Sequence, residues 1–146
     1  MPFVLVVISG EQNVSDMIES SISRKLQDGS IPLSAAEEIQ ALAERYGRHA
    51  IPLNALDRQH LRADVLVYVS VNTVNAAPLQ FYGRTMEQYA STISIKVIDT
   101  ATKKVIHFPR SKTVHYTTLN MQKNIEAATE EMISDLPQRL GVFWKG

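Results

Sequence analysis

Two hydrophobic periods alternate along the chain. Residues 3–9 form an unbroken run rich in Val and Ile, which predicts a strand covered on both faces and placed in the middle of a sheet. Gly10 and Asn13 end that strand and open a helix, with Asn13 as N-cap and Asp16 adding negative charge to the first turn. Val14, Met17, Ile18, Ser21, Ile22 and Leu26 then recur at helical spacing as one apolar stripe, and Gly29 is the stop. Residues 31–33 leave room only for a very short extended piece. Ser34 and Glu37 have capping-box spacing and open a second helix that turns Ile39, Leu42, Ala43 and Tyr46 inward and closes at Gly47. A short helical turn is expected within residues 54–61. Residues 64–71 are the most strand-like stretch, with Val65, Val67, Val69 and Val71 on one face and Leu66 and Tyr68 on the other.

Residues 72–85 are polar, contain Pro78 and Gly83, and predict a long loop or an irregular excursion. Strands over 88–98 and 104–116 flank turn-forming residues as a hairpin, and Pro109 predicts an edge position or a bulge in the second. The last helix is capped near Asn120 or Asn124, buries Ile125, Ala128, Met132, Ile133 and Leu136, and loses its regular part at Pro137. The expected fold is one α/β (α+β) domain over residues 1–146: a mixed sheet of about five strands in the order β-α-β-α-β-β-β-α, helices packed on it. The first half should use right-handed crossovers, and the second half is an antiparallel meander.

Composition narrows the classes. A chain of 146 residues with 45% hydrophobic content is one domain's worth and too apolar for a disordered tail. No uncharged apolar run approaches the ~20 residues of a membrane span. Residues 2–9 lack a basic leader and a cleavage site, so they read as a strand and not as a signal peptide. Without cysteine there is no disulfide, thiol nucleophile or thiolate metal site. Fifteen Lys and Arg against fifteen Asp and Glu argue against a general polyanion binder.

Candidate chemistry is sparse, and neither a catalytic residue, a metal ligand nor a cofactor site is expected. His107 and His115 share a strand about 26 Å apart at ~3.3 Å per residue. His49 and His60 sit in loops with no carboxylate or second histidine at ligand spacing. The adjacent pairs Glu37/Glu38 and Glu130/Glu131 point about 100° apart on their helices and converge on nothing. The six glycines are scattered, without a phosphate-cradling loop. Ser9-Gly10 has the address of an active site at a strand end but no evident base, which makes a hydrolase there the second alternative.

Charge and loop composition say more. Residues 102–116 carry Lys103, Lys104, Arg110 and Lys112 with no acid, and Phe108 and Tyr116 lie among them. A nucleic-acid-binding hairpin over 103–116 is the first alternative; lysines guarding an edge strand explain the same pattern. The stretch 78–86 gathers Phe81, Tyr82, Arg84 and Met86, residue types enriched at protein interfaces. Phe81 and Met86 could instead fold back over the core. The terminal 142–145 segment could dock on the sheet or continue into a longer chain.

These features together resemble a known group: the small α/β domain of the Tol-system β-propeller protein's N-terminus, the curli-secretion lipoproteins and the penicillin-binding-protein activator lipoproteins. The likeness rests on the apolar first strand and the Val14 to Leu26 helix ending at Gly29. It continues in Ala63-Asp64 leading into a strand, the strand-turn-strand over 93–106 with its Asp99-Thr100-Ala101-Thr102 turn, and the final helix. The resemblance implies a non-catalytic interaction or assembly module of the bacterial envelope, periplasmic or envelope-associated, working with a protein partner or a second copy of itself. It transfers no catalytic residue. The expected contact surfaces are Phe81, Tyr82, Arg84 and Met86 in the loop, and Lys104, Arg110 and Lys112 on an edge strand open to strand addition.

Overall fold

The computed structural model describes residues 3–34, 36–58 and 61–145. His60 lies outside these segments, and within them the side chains of Ala36, Glu38, Phe81, His107, Phe108, Pro109 and residues 142–145 lie outside the description. The chain folds as a mixed α/β domain, as expected. Strand β1 (Val4–Ser9) runs parallel to β2 (Val65–Asn75); β2, β5 (Gln88–Asp99) and β6 (Val105–Thr117) form the antiparallel meander, giving the order β1-β2-β5-β6. The short piece at 31–33 adds a single parallel bridge, Leu33 to Val4, at the fifth position.

The apolar first strand is therefore not central. It lies at one side of the sheet, and β2 and β5 occupy the middle. Its unbroken apolarity reports covered faces, not flanked edges. Val4 and Ile8 pack against helices α1 (Gln12–Asp28), α4 (Met121–Ile133) and α5 (Leu136–Lys145), while Leu5 and Val7 pack against α2 (Gln40–Tyr46) and α3 (Leu53–Asp57) on the opposite face. The alternation read in β2 holds: Val65, Val67, Val69 and Val71 join the first core, and Leu66 and Tyr68 join the second. The α2–α3 layer covers β1, β2 and the Ile98 end of β5. Beyond Ile98 the same face of β5 and β6 is polar, tied by hydroxyl pairs Thr92–Thr113 at 2.9 Å and Ser94–Ser111 at 3.2 Å.

Several details depart from expectation. The α1 cap is Glu11, whose carboxylate accepts from the N–H groups of Asn13 and Val14, so Asn13 is already inside the helix. Gly29 does stop α1, with φ −84; its hydrogen faces Pro137, and an added Cβ would stand 2.9 Å from the proline Cβ. A 3-10 turn (Ala36–Ile39) precedes α2, and Tyr46 is 37% exposed, under the Arg45 guanidinium at 5.2 Å. The loop expected over 72–85 contains four more residues of β2 and a separate ribbon, β3 (Leu79–Phe81) with β4 (Arg84–Met86). Pro137 does not end helical structure but sits in the first turn of α5, where its missing N–H costs nothing. The Pro109 expectation holds in both forms. β6 is an edge strand, and its register shifts between the pairs Ile95–Arg110 and Val97–Ile106, the stretch that contains Pro109.

Tyr68 ties the second layer to the sheet, its buried hydroxyl donating to the Ile51 carbonyl at 2.8 Å. Burial raises its phenol above the ordinary 10.0, and hydrogen bonds with Ser9 and Leu53 only partly offset this. A raised pKa means the folded state holds its proton more tightly than the unfolded state. Its contribution is complete below the unfolded value and is lost as pH climbs through the folded one. Urea unfolding at about pH 8 and about pH 11 should show wild type losing more stability than Tyr68→Phe over that interval. Equal losses would remove Tyr68 as the cause.

Candidate functional site

The ribbon β3–β4 owes its turn to two residues in the left-handed region, Tyr82 at φ 48 and Gly83 at φ 74, as a two-residue hairpin turn demands. That turn projects Tyr82, whose surface is 91% exposed, with exposed Arg84 beside it and Leu79 at 43%. Met86 is half-buried at the ribbon base and turns partly inward, while the Phe81 side chain lies outside the described residues. Neither short strand packs extensively on another element, and β3 and β4 mainly hold each other.

The basic stretch is organised differently from a binding platform. Arg110 and Lys112 sit on the helix-facing side of β6 and are engaged within the domain. The Arg110 guanidinium donates to the Met132 carbonyl at 2.9 Å and to Asp135 at 2.8 Å, and Lys112 pairs with Glu131. Burial works to raise the Asp135 carboxyl, but hydrogen bonds from Arg139 and Arg110, together with the Arg110 charge, outweigh it and hold the pKa below its ordinary value. Arg110 thus fastens the α4–α5 junction to the sheet. Lys103 and Lys104 remain exposed at the hairpin turn, where Lys103 adopts φ 62. Half of the cations that suggested nucleic-acid contact have acidic partners.

The structure also gathers a cluster that the chain's spacing concealed. Asp16 and Glu19 stand one turn apart on α1, and the loop after α2 brings His49 to them. Ligand-type atoms of Asp16, Glu19 and His49 lie within 4.8 Å of one another, overturning the reading of His49 as remote from any carboxylate. His49 Nε2 is 3.2 Å from Asp16 Oδ1, whereas its Nδ1 is buried without a hydrogen-bond partner. Arg48 contacts both Glu19 oxygens, at 3.0 and 3.2 Å, so a cation already occupies the carboxylate a divalent ion would need. The arrangement is a charge network pinning the 47–50 loop to α1. The one signal for it in the chain was the i, i+3 acid pair on the polar side of α1. His115 is exposed, and its carbonyl accepts from Asn124.

The end of β1 is packed on its Val71 side and opens on the other into a shallow hollow of about 450 Å³ lined by Gly10, Asp16, Arg48 and His49. A Cβ on Gly10 would lie 2.6 Å from Val71 Cβ, and Ser9 shares a hydrogen bond with Tyr68 on the second-layer face. The described hydrogen bonds do not join Ser9 to the Asp16–His49 pair. No helix among the described residues is long and apolar enough to cross a membrane.

No family model matches the chain, and no curated protein does. Solved structures do match over nearly its whole length. A lipoprotein from Neisseria meningitidis is 11% identical over 96% of this chain and 99% of its own, with a TM-score of 0.55. A hypothetical protein from Chlamydia trachomatis is 14% identical over 97% and 99%, with a TM-score of 0.57. The PelC dodecamer subunit of Paraburkholderia phytofirmans is 12% identical over 93% and 86%, with a TM-score of 0.52. At such identities the likeness is one of fold: the chain is similar in fold to bacterial lipoproteins.

Proposed function

We propose that this chain is a non-catalytic protein-interaction module of the bacterial cell envelope, assembling with a partner protein or with copies of itself. The observation that carries the reading is the β3–β4 ribbon, which holds an aromatic side chain 91% exposed at its tip beside an arginine. An envelope location is supported by the lipoprotein folds it matches, and self-assembly by the dodecameric neighbour. Kinship with the Tol-system, curli-secretion and penicillin-binding-protein activator domains belongs to the same reading.

The test is a photo-crosslinking amino acid at position 82, with position 130 on α4 as control, in the full chain expressed in bacteria. Adducts at 82 and none at 130 are expected, and Arg84→Glu should remove them while shifting the thermal midpoint by no more than about 2 °C. A large drop in midpoint would make the ribbon a cover for the core, and the absence of adducts would end the proposal.

A further inference from the structure

The outer edge of β1 is paired at both ends and open between them. At one end the Val4 N–H donates to the Pro32 carbonyl at 3.1 Å, and the Val4 carbonyl accepts from the Ser34 N–H at 2.7 Å. At the other the Gly10 N–H donates to the His49 carbonyl at 2.8 Å. On the β2 side, the Phe3 carbonyl accepts from the Val65 N–H at 3.1 Å. Backbone groups alternate sides along a strand, so even-numbered residues of β1 face outward and odd-numbered ones face β2. Val6 and Ile8 therefore direct their N–H and C=O groups away from the sheet, and among the described residues no backbone group meets them there.

Those groups open into a cleft of about 280 Å³ along residues 6–8, lined by Ile39 and Ala43 with Glu37 and Gln40 from the α2 side and by Glu19, Arg48 and His49 from the other. Ile8 is only 4% exposed, so its unpaired groups lie at the floor of a depression and not on a washed edge. Polar backbone in such a place is costly unless something pairs with it. Both ends are blocked by the domain's own loops, which excludes a long strand and hence edge-to-edge pairing of two sheets.

We propose that this cleft receives an extended peptide segment of a partner protein as a short added strand on β1. Apolar side chains of that segment face Ile39 and Ala43, and alternate polar ones face Glu19 and His49. The domain already uses this mode once, where Leu33 bridges to Val4 in parallel. Main-chain bonds supply affinity in such additions, and the alternating walls supply selection. The inference rests on the protein-interaction reading above and names the chemistry of the partner.

Random heptapeptides displayed on phage and panned against the intact chain test it. Enrichment of alternating apolar-polar sequences is expected. Their synthetic forms should bind and slow hydrogen exchange at the Val6 and Ile8 amides. Val6→Pro removes an outward N–H and leaves the β2 ladder intact, at the cost of some Val6 packing, and Ala43→Arg fills the cleft from α2. Each should weaken binding about tenfold or more. No enrichment, unchanged exchange at Val6 and Ile8, or undiminished affinity in a folded variant overturns the proposal. Adducts at position 82 that persist in Ala43→Arg, alongside failed panning, would sink the cleft alone and leave the ribbon reading intact.

Discussion

Gly10→Ala is expected to cost about 3 kcal/mol of folding stability, combining overpacking with backbone strain. Gly10 has φ +154, and a Cβ there would stand 2.6 Å from Val71 Cβ and 2.7 Å from the Val71 carbonyl oxygen. The clash is with a buried neighbour and with backbone in a central strand, so no flexible side-chain end can swing away. Relief requires β1 and β2 to part where the Gly10–His49 bond closes the strand end. The control is Gly141→Ala inside α5, where an added methyl meets nothing within 4 Å. That change should be neutral or slightly stabilising by helix propensity. Urea midpoints for the two variants decide the matter: matching values would mean that the close approach at Val71 relaxes freely.

Ile22→Ala is the second large effect, with an expected loss of about 3 kcal/mol from lost transfer free energy and the void left behind. Ile22 has no exposed surface and lies on the α1 stripe, among side chains of the sheet, α4 and α5. Layers on three sides leave little room for collapse, which puts the cost in the middle of the range for such deletions. The denaturant midpoint should fall with an unchanged slope. A loss near zero would show that the helices close over the gap.

The α1 stripe illustrates what was legible in the sequence. Val14, Ile18, Ile22 and Leu26 have a helical period and bury the predicted face, and β2 alternates as expected, its valines in one core and Leu66 and Tyr68 in the other. Periodicity reports which side chains are covered. It does not report which neighbour covers them, and so β1 was expected in the middle of the sheet when Leu33 and its own helices shelter it at the side. The ribbon escaped notice because strands of three residues have no period, and because Tyr-Gly is a rarer turn than Asn-Gly. Pro137 is ambiguous in the sequence, since proline ends helices and begins them equally well. Glu11 is outside the usual set of capping residues. The Asp16–Glu19–His49 cluster and the cleft beside β1 depend on where a loop lands about thirty positions away, and that is set by packing alone.

The parallel pairing of β1 with β2 carries a kinetic consequence. Phe3 meets Asp64 across 61 positions of chain, whereas β5 and β6 are joined by a short turn. Closing the longer loop takes about 2 kcal/mol more chain entropy. The meander can zip from its own turns, but the amino-terminal strand must search for a groove that other segments have already shaped. Long-range closure of this kind sets the pace of the slowest productive step, and until it is complete the hydrophobic flank of β2 stays open to foreign chains.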